Sequence, residues 1–455
     1  MYCIFCRLPV AERYGPRDRF IVAGLSPAMA AAPDDGDWGI GHHPWAPRLP
    51  SFPARAELGS MDIYLLDWAN LLLRWLHLIA GVAWIGSSFY FVMLDGALKP
   101  PRHAADAASG VFGELWAVHG GGFYRSQKFL AGPKGEPLPE DLHWSKWQAY
   151  TTWLSGMGLM GVIYWLGATS FLVDPRVRPL APGTAVAISA AFLAGGWLAY
   201  DLLCRVLAKR EVWLAAALFG FVVAAVWIVH QFFAPRAAYL HVGAMLGTLM
   251  AANVFVHIIP GQKRMVAQLR AGQAVDPRPG QIGKQRSIHN TYFTLPVLFI
   301  MISQHYPMTY SRPQGGWVLV AIMAAGVLIR QYFVLRHRGS SRPGLLIAGG
   351  GVLVALIFAL APAPAPTRAS PVAFSKVQRI VAARCLPCHA TQPTQPGFAQ
   401  PPRGVVLETP DEIRQHAQRI GETVSSGYMP LANLTGITDQ ERQQIAGWWA
   451  QGVPR

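Results

Sequence analysis

The chain has 455 residues, a length that allows two to three domains, and 52% of them are hydrophobic against only 14% charged. That balance suits a membrane protein with a soluble appendage. The formal net charge of +15 comes from basic residues scattered between apolar runs, with no Lys/Arg block interleaved with aromatics, which excludes a nucleic-acid-binding role.

Residues 1–60 are rich in Pro, Gly, Ala and Arg and lack both periodicity and the apolar stretch of a secretory signal. They read as a disordered extension, or as sequence upstream of a true start at Met61. Cys3-Ile-Phe-Cys6 lies inside this extension and is assigned no role. Residues 61–362 then carry eight apolar segments, each a candidate for the roughly 20-residue helix that a bilayer requires. They run from Trp68 to Leu94, Ala149 to Val173, Ala185 to Leu207, Val212 to Phe233, Leu240 to Ile259, Thr291 to His305, Gly316 to Leu335 and Gly344 to Leu360. The sixth is short and polar for a span.

Charge in the connecting segments sets the orientation. Alternate loops hold Lys99, Arg102, Arg125, Lys128, Lys134 and Lys146, then Arg205, Lys209 and Arg210. The same set continues with Lys263, Arg264, Arg270, Arg278, Lys284 and Arg286, and with Arg336, Arg338 and Arg342. The opposite loops hold only Arg176, Arg178, Arg236 and Arg312. The positive-inside rule puts the rich set in the cytoplasm and both ends of the bundle outside. The expectation is a multi-pass protein of a bacterial inner membrane, all-α in class.

Within the spans, His77, Gly81 and Trp84 share one helical face. Topology sorts the histidines into two layers, His77, His230, His241 and His305 outward, His119, His143, His257 and His289 toward the cytoplasm. His241 and His257 sit on one predicted helix about 24 Å apart at 1.5 Å per residue. Such layers could relay electrons, so His77, His241 and His257 are candidate ligands of a non-covalent haem b. Interhelical hydrogen bonding is the competing account.

Between the first two spans lies Gly113-Glu-Leu-Trp116-Ala-Val-His119-Gly-Gly-Gly122-Phe-Tyr124-Arg125-Ser-Gln-Lys128, followed by Leu142-His143-Trp144-Ser-Lys146-Trp147. Three glycines beside a histidine, aromatics and cations fit a backbone folded around a planar anion. An interfacial aromatic belt explains the tryptophans but not the glycines.

Residues 363–369 form a Pro-rich linker, and residues 370–455 a small helical domain. It opens on a helix from Phe374 into Cys385-Leu-Pro-Cys388-His389, the attachment signature of haem c. Cys385 and Cys388 supply the thioethers, His389 the proximal iron ligand. Gly427-Tyr428-Met429-Pro430 has the form of a distal ligand loop, so Met429 is the second axial ligand. Zinc would want further Cys or His ligands, and only His416 follows. Haem c attaches on the extracytoplasmic side, which agrees with the charge map. Helices are expected near Asp411 to Ser425 and Asp439 to Gln451, with Trp448 and Trp449 packing the last one.

The stretches Trp75 to Phe91, Trp116 to Lys128, His143 to Trp153, Asn253 to Lys263 and His289 to Pro307 resemble the membrane-bound, cytochrome-c-fused urate hydroxylases (PuuD type). The most distinctive pieces are His289-Asn-Thr-Tyr-Phe-Thr-Leu-Pro296 and Ile302-Ser-Gln-His305-Tyr-Pro307. The resemblance covers Met61 to Arg455 and departs from the family pattern in the front extension, at Ser145 and at Thr291. It implies oxidation of urate to 5-hydroxyisourate, with electrons leaving through the cytochrome to a respiratory-chain acceptor. Under that reading His119 is the acid/base, Arg125 and Lys128 meet the anion, and Trp116 or Trp144 stacks on the ring. The alternatives are an electron-transfer subunit without a substrate, and a haem-linked membrane dehydrogenase for another small molecule.

Overall fold

The computed structural model describes residues 60–361, 371–395, 398 and 400–454. The extension and the Pro-rich linker, including Cys3 and Cys6, lie outside the described residues. Each of the eight predicted segments is largely helical; the second is divided between two helices and a wide turn, and the sixth belongs to a helix that extends well beyond its apolar run. In order they are α1 (Ser60–Ala97), a short α2 (Ala104–Ala108), α3 (Trp147–Leu159), a short α4 (Ala168–Phe171), α5 (Pro182–Val206), α6 (Glu211–His230), α7 (Pro235–Ala252), α8 (Ile259–Arg270), α9 (Arg278–Ser303), α10 (Gly315–His337) and α11 (Pro343–Ala359). Five helical runs are long and apolar enough to cross a membrane: Tyr64–Ala97, Pro182–Val206, Glu211–His230, Pro235–Arg270 and Gly315–His337.

Local chemistry places the ends. Proline opens α5, α7 and α11, where its missing N–H would have had no helical partner and its fixed φ suits the first turn. Two wide π turns interrupt α-geometry without breaking the rods. Met160–Trp165 continues α3, and Asn253–Ile258 joins α7 to α8 so that the run from Pro235 to Arg270 is unbroken.

The core is built around α7. Ala237, Ala238, Tyr239, His241, Val242, Met245, Leu246 and Leu249 are all buried, and α5, α6 and α9 pack against this helix. Close approach needs a small residue. A Cβ on Gly243 would stand 2.5 Å from Cγ2 of Ile300 on α9, so only hydrogen allows that crossing. α1 lies at the other extreme, packed on α3 but exposing Leu71, Leu72, Trp75, Leu78, Ile79 and Val82. An exposed apolar face of that length is the face a bilayer would cover.

The short polar sixth segment is corrected. Its helix, α9, begins at Arg278 and buries Arg286, Asn290, Thr291, Thr294 and Ser303. A polar helix is tolerated here because its hydrogen-bonding groups meet other helices instead of lipid.

The all-α expectation also fails in one place. Residues of the glycine-rich loop form an antiparallel hairpin of β1 (Val111–His119) and β2 (Gly122–Phe129), in register from Gly113 opposite Lys128 to His119 opposite Gly122. Gly120 and Gly121 occupy its two-residue turn with φ of +59° and +83°. Positive φ at both central positions is what a type I′ turn demands, so the glycines answer to the hairpin twist.

The C-terminal region comprises α12 (Phe374–Arg384), the single turn α13 (Leu386–His389), α14 (Pro410–Gln415), α15 (Ala417–Ser425) and α16 (Asp439–Ala450). Thr409 with Glu412, and Thr438 with Glu441, make reciprocal capping boxes that start α14 and α16. Val377, Val381, Ile445 and Trp448 form the centre of a separate core, and Phe374 stacks on Trp448 at 5.6 Å. Trp449 lies across α15, where a Cβ on Gly421 would meet its ring at 2.4 Å. The packing role expected of both tryptophans is what they perform.

Candidate functional site

In the C-terminal region, the turn after α12 brings the motif residues together. The carbonyl of Cys385 accepts from the backbone N–H of Cys388 at 3.1 Å and of His389 at 2.9 Å. The two thiols thus sit three residues apart on one helical face. Nδ1 of His389 donates to the carbonyl of Val405 at 2.9 Å, which fixes the ring and leaves Nε2 as its other nitrogen. Met429 and Cys385 pack on the same apolar core, and Arg442 holds the Met429 carbonyl at 2.6 Å. Burial pushes the Cys385 thiol up to about 12 and raises that of Cys388, so both are neutral at physiological pH. Among the described residues no three His, Cys, Asp or Glu side chains converge as a site for a bare metal ion.

The neighbouring Tyr428 reaches the membrane bundle. It packs partly on the bundle core, with its ring 6.5 Å from that of Tyr310, edge to face.

The loop residues singled out as substrate ligands do not gather. His119 ends β1 at the exposed hairpin tip. Trp116 faces Arg125 across the hairpin, with the guanidinium 5.7 Å from its ring. Arg125 also holds two carboxylates, Glu114 at 2.5 Å and Asp106 more closely, and Lys128 pairs with Asp95 at 2.5 Å. These hydrogen bonds hold Glu114 and Asp106 below the usual carboxylate range. Cations already neutralised by carboxylates are poorly placed to attract an anion. Trp144 is elsewhere, with His143 in a surface pocket of about 430 Å³. Glu140 and Asp141 line that pocket too, and its Arg270 already donates to the carbonyls of Pro139 and Glu140. Its charge suits an anion poorly.

The candidate haem b ligands receive a different account as well. His241 is fully buried with both ring nitrogens engaged, Nε2 with the Ser189 hydroxyl at 2.7 Å and Nδ1 with the Ala237 carbonyl at 2.8 Å. Both nitrogens thus serve interhelical and intrahelical hydrogen bonds, the competing account of the buried histidines. His77 bonds the Thr152 carbonyl at 2.9 Å through Nδ1 and lies against Gly156, whose Cβ would stand 2.9 Å from its ring. It joins α1 to α3, as the hydrogen-bonding account has it. Nε2 of His257 meets Oδ1 of Asp201 at 2.7 Å, an ion-pair geometry.

That contact opens onto a buried polar network between α5, the π turn at Asn253–Ile258 and α9. Oδ1 of Asp201 also accepts from Nη2 of Arg286 at 2.6 Å, and Oδ2 from Nε of Arg205 at 2.7 Å. The next residue, Tyr200, bonds Nδ1 of His289 at 2.8 Å and accepts from Nδ2 of Asn253 at 2.9 Å. Asn253 donates in turn to Oδ1 of Asn290 at 2.9 Å. The Arg286 guanidinium lies 5.0 Å over the Tyr200 ring, and Trp197 flanks both Tyr200 and His257 at about 6 Å. Arg286 is only 2% exposed and Asn253 not at all.

Among these residues only His257 and His289 stood out as candidates in the sequence. Asp201 carried a usable signal, as an acid inside an apolar helix, which is costly unless it has a partner and a use. Arg286 gave none, because its neighbours in sequence are those of a basic loop.

Five helical runs long and apolar enough to cross a membrane, an ionic network buried between helices and a small second helical core are consistent with a membrane protein that has an internal polar site. Residues 63–361 match the family model described as urate oxidase N-terminal, and the chain belongs to that family. The match ends before the second core begins. No curated protein and no solved structure matches the chain.

Proposed function

We propose that the chain is a membrane-bound urate hydroxylase that passes electrons to a haem c held by its own C-terminal domain. The oxidation balances as urate plus water giving 5-hydroxyisourate, two protons and two electrons. The family match supplies urate as the substrate class. One observation carries the coupling: the loop bearing Met429 is seated on the bundle through Tyr428, so the proposed acceptor domain rests on the proposed oxidising domain.

The residues present fit the group. Cys385 and Cys388, held in one helical turn, would form the two thioethers. His389 has the backbone hydrogen bond that would orient an iron-binding imidazole, and Met429, packed against the same core, would hold the iron from the other side. The haem, when bound, supplies a one-electron acceptor. Cytochrome attachment places that domain in the periplasm, with a respiratory-chain carrier as its partner.

The test is spectroscopic. Urate added to membranes containing the full chain is expected to reduce the covalent haem, followed at its absorbance bands. Reduction by xanthine or hypoxanthine but not urate would refute the substrate, and reduction by none of them would favour a pure electron-transfer subunit.

A further inference from the structure

We infer that the network around Arg286 is the binding site for the planar anionic substrate. This inference rests on the urate reading above.

Charge is the first argument. Two guanidiniums, Arg286 and Arg205, face the single carboxylate of Asp201, and Arg205 extends to the surface while Arg286 is buried. The buried charges of Arg286 and Asp201 therefore balance, and the second cation, Arg205, stands in excess at the exposed edge of the network. That excess of positive charge favours a monoanion over a neutral or cationic ligand.

Unused hydrogen-bonding capacity is the second. Asp201 fixes the guanidinium through Nη2 alone, while Nε and Nη1 have no hydrogen-bond partner among the described residues. Oδ1 of Asn253, also buried, has none either. Two kinds of donor and one acceptor match a heterocycle such as urate, which offers carbonyl oxygens and ring N–H groups in one plane. Trp197 and Phe293, each about 6 Å from the Tyr200 ring, supply aromatic walls with it.

Backbone geometry is the third. Asn253 and His257 both lie on a π turn, a conformation that recurs at functional sites. The other buried arginines among the described residues lack this setting: Arg330 lies over Phe89 at 4.0 Å with no carboxylate among its described partners, and Arg442 donates to the carbonyls of Val424 and Met429. Asp201 is therefore a positioning residue, and Arg286, Asn253 and Tyr200 are the recognition groups.

The experiment uses membranes of the full chain with urate as the probe and covalent haem per chain as the control for assembly. Arg286→Lys keeps the charge and the Asp201 pair but loses the planar fork, and Arg286→Gln loses the charge too. The expected result is a urate KM raised at least about tenfold in the lysine variant and further in the glutamine variant. Arg330→Lys should leave KM unchanged. If either Arg286 variant fails to assemble, Tyr200→Phe, which keeps ring and volume, is expected to raise KM by about threefold or more. Assembled Arg286 variants, or in their place Tyr200→Phe, with the wild-type KM would overturn the site while leaving the urate reading intact. Wild-type membranes that do not respond to urate at all would overturn the reading and the site together.

Discussion

At the scale of single residues, the chemistry depends on what each polar group already holds. Met429 is anchored by its backbone, through Arg442 at its carbonyl and Thr423 at its N–H, so its thioether can be exchanged without moving the loop. Met429→Leu should lower the haem potential and stop turnover while urate still binds; redox titration and equilibrium binding on the same preparation check the two halves. Loss of binding as well would mean the domains do not act as separable modules. Cys385, Cys388 and His389 stand out in the sequence because a proposal of haem attachment needs only their local spacing, which the turn after α12 keeps together. Arg286 does not, because a cation reads alike in a loop and in a helix until a distant carboxylate is found for it. Asp201 lies 85 positions away, and no local pattern records such a pairing.

At the scale of elements, helices were easier to read than the segment between the first two. Apolar runs of about 20 residues have few alternatives, so all eight appeared as helices. Tyr124 to Lys128 has no apolar alternation, and the glycines suggested a cradle where the backbone makes a turn. This distinction can be measured. Replacing Gly120 and Gly121 with alanine forces two side chains into positive φ, costing about 1–2 kcal/mol each, and should loosen the hairpin without altering the urate KM. Steady-state kinetics would show otherwise if the glycines contact substrate. Acid should loosen the same element. Glu114 and Asp106 have values depressed by Arg125, so their contribution is complete above about pH 5 and is lost as pH falls through those depressed values. Hydrogen exchange of the β1 and β2 amides, compared at pH 7 and pH 3 after correction for intrinsic rates, reports that loss.

At the scale of the whole molecule, orientation follows from two expectations that agree. Lysines and arginines crowd alternate connections, and the proposed haem c would be attached outside the cytoplasm. Cysteines introduced at Lys209 and at Gln395 should therefore respond oppositely to an impermeant thiol reagent applied to intact spheroplasts: Gln395→Cys labelled, Lys209→Cys protected. The reverse pattern would invert the protein and remove the support for a periplasmic cytochrome. Hydropathy located the bundle, but the internal site belongs to contacts between α5, α7 and α9, which arise only when those helices assemble.

The π turn at Asn253–Ile258 makes that assembly unusually sensitive to chain length. A π turn accommodates one residue more than an α turn, and each residue of an α-helix advances the azimuth by roughly 100°. Removing a single residue there would let the rod relax into uninterrupted α-geometry, with its apolar composition and length nearly intact. Because the wide turn and an α turn each complete one rotation, the rods on either side would keep their facing, while the residues within the turn change azimuth and the His257 imidazole moves off Asp201. Such a deletion would pass unnoticed in a hydropathy plot and still leave a membrane protein, but one whose recognition groups face different neighbours.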